Sequence, residues 1–256
     1  MANPMNQEDR NEVLRLMMLV LNQSGLDEEG FQRLRSRGSE LYDLVSSGIR
    51  LLSAPTPDYQ TVKKILGRDF IPPEVISQKT GLEYQEKQLE TFRLSTPSLY
   101  VVKWCRDHGF MLVAGPSVSM SLMQIHVLMR NRFKRDESNV FNAPSIYHDL
   151  VQTSWLMLRK EPIVGSGQMT AGAQRAVLSE HERFPNAAEL AWGIALYRSI
   201  RGRCLYRRGY VRTSSESTYM GEVCIGYYLD DDGMRLKEEL SASTFDDLLA
   251  TSCRKT

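Results

Sequence analysis

The segment from Tyr197 to Arg212 holds the residues of this chain best suited to binding an anion. It contains six arginines and no lysine. The planar guanidinium group donates paired hydrogen bonds to phosphate or carboxylate, and a tyrosine ring can stack on a nucleic-acid base. The segment therefore predicts a non-catalytic binding site for a polyanion, with nucleic acid the favoured ligand. The predicted site residues are Arg198, Arg201, Arg203, Arg207, Arg208, Arg212, Tyr206 and Tyr210.

The same arginines have a purely structural alternative. Acidic residues follow in the last part of the chain, at Asp230–Asp232, Glu238 and Glu239. In this alternative the arginines form surface ion pairs with these carboxylates, and each pair contributes about 0–1 kcal/mol to the stability of the fold. From the sequence alone both alternatives stay open.

The distribution of charge favours an anionic partner. Residues 101–212 hold 16 of the 32 Lys and Arg residues against eight Asp and Glu, whereas residues 213–256 hold four basic and nine acidic residues. A local positive field of this kind attracts anions. A second basic cluster, Arg130, Arg132, Lys134 and Arg135, lies within the basic region.

Two other function classes have candidate residues. Met17, Met18 and the Met-rich stretch from Met111 to Met129 would offer adaptable apolar surface to a protein partner. An enzyme of unassigned reaction would have its site near Trp104, His108 and Arg159. The four histidines and four cysteines show no metal-ligand spacing, and no nucleotide or nucleophile motif is present, so no cofactor and no metal are expected.

Local signals in the sequence predict the helices and strands around these residues. Apolar spacing predicts helices over Asn6–Asn22 and from Asp27 to about Val45. Proline and glycine signals predict further helices over 58–66, 72–80 and 84–94, then 173–183 and 187–200. Apolar runs predict strands at Phe110–Ala114 and Trp155–Leu158. Strands at Cys204–Thr213 and Glu222–Leu229, and a short third strand, predict an antiparallel meander. The tail from Ser241 reads as loosely docked.

This order predicts an α+β fold, in which an N-terminal helical region precedes a module with a small, mostly antiparallel sheet flanked by helices. The predicted division is 1–95 and 96–256, or one continuous domain from about residue 71. The polar N-terminus and the absence of an 18-residue apolar run predict a cytoplasmic protein with no membrane segment.

Four segments carry a resemblance to a known group. They are Val102–Pro116, Trp155–Pro162, Pro185–Glu189 and Tyr210–Ser215. With them the chain resembles an uncharacterised group of bacterial proteins from uncultivated lineages, over roughly Ile71 to Leu236. The resemblance implies a bacterial source and one continuous module, and it implies no activity.

Overall fold

The computed structural model describes residues 56–134, 139–207, 209–218, 221–227 and 233–254. These residues belong to one unit, Pro55–Thr256. The predicted helices over Asn6–Asn22 and from Asp27 lie outside the described residues, and the division near residue 95 therefore stays a prediction. Within the described residues the fold is α+β, as the sequence predicts.

The helices begin and end where local signals place them. Asp58 accepts a hydrogen bond from the Thr61 amide at 2.7 Å and so caps the first helix. Gly81 ends the second helix with φ 75°, a left-handed conformation that glycine adopts without strain. The helices are α1 (Tyr59–Leu66), α2 (Pro73–Thr80), α3 (Glu86–Leu94), α4 (Leu99–Asp107), α5 (Leu122–Leu128), α6 (Ser145–His148), α7 (Ala171–Ala176) and α8 (Ala187–Arg201).

The strands form two larger sheets and one pair. The strands are β1 (Phe70–Ile71), β2 (Phe110–Ala114), β3 (Met120–Ser121), β4 (Leu150–Val151), β5 (Trp155–Arg159), β6 (Glu182–Arg183), β7 (Gly209–Glu216), β8 (Gly221–Tyr227), β9 (Met234–Leu240), β10 (Leu248–Leu249) and β11 (Cys253–Arg254). The first sheet has the order β1-β2-β5-β11-β6, the second has the order β10-β7-β8-β9, and β3 pairs with β4. Only β1 with β2 and β10 with β7 run parallel among the described pairs.

Helix α8 is the central element of the core. Every residue from Ala187 to Leu196 is buried, and the helix contacts strands of both larger sheets. Its small residues let the sheet approach closely. A methyl group added at Gly193 would lie 2.5 Å from Leu158 Cδ2 and 2.9 Å from Met111 Cε, so these two side-chain ends would have to shift to accommodate it.

An aromatic cluster joins the early helices to the first sheet. Trp155 of β5 stacks on Phe70 and meets Tyr59 and Phe92 edge-on, with ring centroids 5.3–5.9 Å apart. Its indole nitrogen also donates to the Phe92 carbonyl at 2.9 Å. Such ring pairs add about 0.5–1.5 kcal/mol beyond the area that they bury. Helices α1 and α3 therefore share one core with β5.

Three predictions about the later elements are wrong. The helix predicted over 173–183 ends at Ala176, because Glu182 and Arg183 pair with β11 as strand β6. The strand predicted from Cys204 begins only at Gly209, because Leu205 and Tyr206 turn inwards and are buried. The tail is not loosely docked from Leu248 onward, since β10 joins the second sheet and β11 lies inside the first. Residues Ala250–Cys253 are fully buried.

The start of α8 gives a first testable prediction. Asn186 Oδ1 accepts from the Glu189 amide at 2.8 Å, and the Glu189 carboxylate accepts from the Asn186 amide at 2.8 Å, which completes a capping box. We expect Asn186→Ala to lower the free energy of unfolding by about 0.5–2 kcal/mol and to spare ligand binding. Denaturant unfolding of this variant and of Asn186→Ser, which keeps a cap, measures the effect. Equal stability of Asn186→Ala and the parent chain would contradict it.

Candidate anion-binding cleft

The loop that joins α8 to β7 is fixed by two inward side chains. Gly202 ends α8 with φ 68°. Leu205 and Tyr206 then enter the core, and Tyr206 itself has φ 53°, a left-handed conformation that is rare for a residue other than glycine. Its hydroxyl donates to the Arg159 carbonyl and lies 2.9 Å from Thr251 Oγ1. Burial raises the pKa of the Tyr206 phenol, so it remains a neutral donor.

The loop presents two arginines on either side of this buried pair. Arg203 and Arg207 are both exposed. Within the described part of the chain, no hydrogen bond or ion pair joins either guanidinium group to another residue. Because no carboxylate among the described residues pairs with them, both charges are available to an anion that enters from the solvent.

A cleft of about 480 Å³ lies along this loop. Lys160 lines it together with Arg203 and Arg207, while Glu161 is its single acidic lining residue among those described. The Lys160 ammonium group pairs with Asp69 at 2.7 Å, and both side chains are about one quarter exposed. The cleft is therefore cationic mainly through the two loop arginines.

The remaining predicted residues at the end of α8 are used within the fold. Arg198 donates to the Gly202 carbonyl at 2.8 Å and so caps the helix. Arg201 donates to the Arg68 carbonyl at 2.7 Å and to the Phe70 carbonyl at 3.0 Å. Burial and the like charge of Arg68 lower the pKa of Arg201. These contacts tie the end of α8 to the turn before β1.

Arg212 is in the interior, away from the cleft surface. Its side chain is fully buried, and its guanidinium group pairs with Glu222 of β8 at 2.7 Å. It also donates to the Leu240 carbonyl at 3.2 Å and to the Ser243 carbonyl at 2.7 Å. The structure thus gives Arg212 a partner that the sequence reading did not name.

The two predicted tyrosines do not offer free rings. Tyr206 is buried, as described above. Tyr210 is half-buried, and the Lys237 ammonium group lies 4.2 Å from its ring centroid, which is a cation–π contact within the second sheet. Arg208 and the acidic run Asp230–Asp232 lie outside the described residues. Of the seven predicted site residues that the structure describes, Arg203, Tyr206 and Arg207 line the cleft.

The opposite wall of the cleft is formed by residues outside the predicted site. Lys160, Glu161 and Pro162 follow β5 and lie far from the arginine-rich segment in sequence. The sequence signal for this wall is the charged pair Lys160 and Glu161 at the end of an apolar strand, since such a pair marks where a chain leaves the core. Nothing in that signal shows which distant loop lies beside it.

One residue of the second basic cluster, Arg132, is tied to α8. Arg132 donates through Nε to the Ser199 hydroxyl at 2.9 Å. Arg130 is exposed at the surface beside it, and Arg135 lies outside the described residues.

Trp104, His108 and Arg159, the site residues of the enzyme alternative, lie close together. The Trp104 and His108 rings stack with centroids 4.3 Å apart, and Trp104 also meets Phe110 at 4.8 Å. The Arg159 guanidinium carbon lies 4.9 Å from the Phe110 centroid. His108 and Arg159 line a second cleft of about 480 Å³.

The Met-rich alternative is not supported by exposed methionine. Met111 and Met129 are in the core, and Met123 packs against it. Met17 and Met18 lie outside the described residues. The structure therefore gives no described methionine surface for a partner.

No metal centre and no membrane span are found where the chain is described. No group of three or more His, Cys, Asp or Glu side chains among these residues is arranged to hold a metal ion. In the same ranges, every helix is too short or too polar to cross a bilayer.

No family model, curated protein or solved structure matches the chain.

Proposed function

We propose that the protein is a cytoplasmic, non-catalytic binding protein whose cleft beside the 202–209 loop binds the phosphates of a nucleic acid. Arg203 and Arg207 contact phosphate oxygens, whereas Lys160 on the opposite wall stays paired with Asp69. Contacts to the phosphate backbone carry no sequence information by themselves. The proposal therefore describes binding without base preference at this cleft.

One observation carries the proposal. Among the described arginines of the 197–212 segment, Arg203 and Arg207 are the exposed ones, and no described carboxylate pairs with them. Where the cluster has an internal role, as at Arg212, both terminal nitrogens of the guanidinium group donate to partners within the fold. Arginines that serve only the fold would be expected to have such partners as well.

The conformation of the loop supports the same proposal. Tyr206 adopts its left-handed backbone at a position where glycine would be free of strain. Such conformations cost on the order of 1–3 kcal/mol and cluster at functional sites. The buried Tyr206 hydroxyl holds the backbone of the loop in one shape, so less backbone freedom is lost when Arg203 and Arg207 bind.

The proposal predicts a salt-dependent affinity that two substitutions lower. We expect a fluorescein-labelled single-stranded oligonucleotide to bind in an anisotropy titration at low salt and to weaken steeply toward physiological salt. Arg203→Glu with Arg207→Glu should reduce the affinity at least about 100-fold. For two lost phosphate contacts the slope of log affinity against log salt should fall by about 1.4.

The matched control reverses the same amount of charge elsewhere. Lys79 and Lys87 are exposed on α2 and α3 and line neither cleft. Lys79→Glu with Lys87→Glu should lower the affinity far less. No binding of the parent chain at low salt would overturn the proposal, and so would equal losses in the two double variants.

A further inference from the structure

The second cleft has a lining unlike that of the first. It adjoins the first cleft, because Lys160, Glu161 and Pro162 line both. Its other lining residues include His108 and Arg159. Two neighbouring clefts that share one wall can hold successive parts of a single extended ligand.

The cations of the second cleft are already neutralised. Arg159 pairs with Glu182 at 2.8 Å and also donates to the Ser252 hydroxyl at 3.2 Å. Lys160 pairs with Asp69. The exposed carboxylate of Glu161 repels phosphate from the shared wall. The second cleft is therefore poorly suited to a phosphate group and better suited to an uncharged part of a ligand.

His108 provides a flat surface in this cleft. Its side chain is exposed, and its imidazole ring stacks on Trp104 with an interplanar angle of 17°. Nδ1 lies 2.9 Å from the Trp104 carbonyl oxygen, which fixes the orientation of the ring. Trp104 is held in turn by the Arg254 guanidinium carbon, 4.4 Å from its ring. A ring that is ordered before binding loses little entropy when a ligand stacks on it.

We propose that the second cleft is a base-stacking subsite, in which an unpaired nucleobase lies against His108 while Arg203 and Arg207 hold phosphates of the same strand. This inference rests on the proposed function and adds that the ligand is single-stranded. In a duplex the faces of the bases are covered by their neighbours, so only an unpaired base can stack on a protein ring. In this proposal His108, and not Tyr206 or Tyr210, makes the stacking contact, because neither tyrosine offers a free ring.

The test compares ligands with and without bases on the full chain. An oligothymidylate, an abasic sugar-phosphate oligomer of equal length and a duplex of equal length are titrated against the parent chain and His108→Ala. We expect His108→Ala to weaken oligothymidylate binding about 10-fold and to leave abasic binding unchanged, because stacking alone is lost. His108→Phe keeps a flat ring and should retain affinity for oligothymidylate. The duplex should bind the parent chain more weakly than oligothymidylate does.

The outcomes separate this inference from the function on which it rests. If the parent chain binds oligothymidylate but His108→Ala binds it equally well, or loses affinity for the abasic oligomer to the same extent, the stacking subsite is overturned and phosphate binding stands. Duplex binding as tight as that of oligothymidylate would overturn the single-strand assignment. If the parent chain binds none of the three ligands, the proposed function fails and this inference fails with it.

Discussion

Replacing Arg212 with alanine is expected to lower the free energy of unfolding by about 3–5 kcal/mol. The substitution leaves the Glu222 carboxylate buried with its main interior partner removed. It also frees the Leu240 and Ser243 carbonyls, to which the guanidinium group now donates. For a domain of this size the loss corresponds to a fall in Tm of roughly 6–20 °C. Thermal and denaturant unfolding monitored by circular dichroism measure it.

Arg175 is the matched control for Arg212. It pairs with the same carboxylate at 2.8 Å, but its side chain is half exposed. Arg175→Ala should therefore cost no more than about 1 kcal/mol, as exposed ion pairs do. Losses of similar size in the two variants would contradict the distinction between a buried and an exposed partner of Glu222. A stable Arg212→Ala would show that the buried pair contributes little to the fold.

Replacing Trp192 with alanine is expected to destabilise the protein by about 3–5 kcal/mol. Trp192 is the largest of the fully buried side chains and lies in the middle of α8. Its indole nitrogen donates to the Ala114 carbonyl at the end of β2, at 2.9 Å. Alanine removes the ring and the donor together, so a cavity and an unpaired carbonyl remain between α8 and the first sheet. Denaturant unfolding gives the loss directly.

Trp192→Phe separates the two contributions. Phenylalanine keeps much of the ring and loses the donor, which leaves the buried Ala114 carbonyl without its indole partner and should cost about 1–3 kcal/mol. The expected order of stability is therefore the parent chain, then Trp192→Phe, then Trp192→Ala. A Trp192→Ala variant within about 1 kcal/mol of the parent chain would mean that the core closes around the lost ring.

The parts of the fold that the sequence predicts are those with local causes. Pro73–Thr80 begins at a proline and ends at a left-handed glycine, and both signals lie within the helix or beside it. The apolar run Phe110–Ala114 is a strand buried along its whole length. In contrast, the start of β7 was predicted five residues too early. The cause lies in the distant contacts of Tyr206 with Arg159 and Thr251, which no local pattern reveals.

The arginine cluster shows the same limit for the candidate site. Its density in sequence does not distinguish Arg203, which is exposed, from Arg212, which is buried. The partner of Arg212 comes from the next strand, and the register of β7 with β8 shifts between Arg212 and Glu216. A bulge of this kind changes which face a side chain occupies, so counting residues along the strand cannot place it. Similarly, the spacing of Trp104 and His108 shows one helical turn but not the cleft beside them.

The position of β11 has a consequence for the chain while it is being synthesised. Cys253 pairs with Leu158 of β5 and with Arg183 of β6, so this strand joins two neighbours that are made much earlier. β5 can pair with β2 as soon as both have left the ribosome, but its other edge has no described partner until Cys253 follows. An unpaired strand edge can recruit strands from other chains. The edge of β5 that receives β11 is thus open to wrong pairing until the last strand of the first sheet has been made.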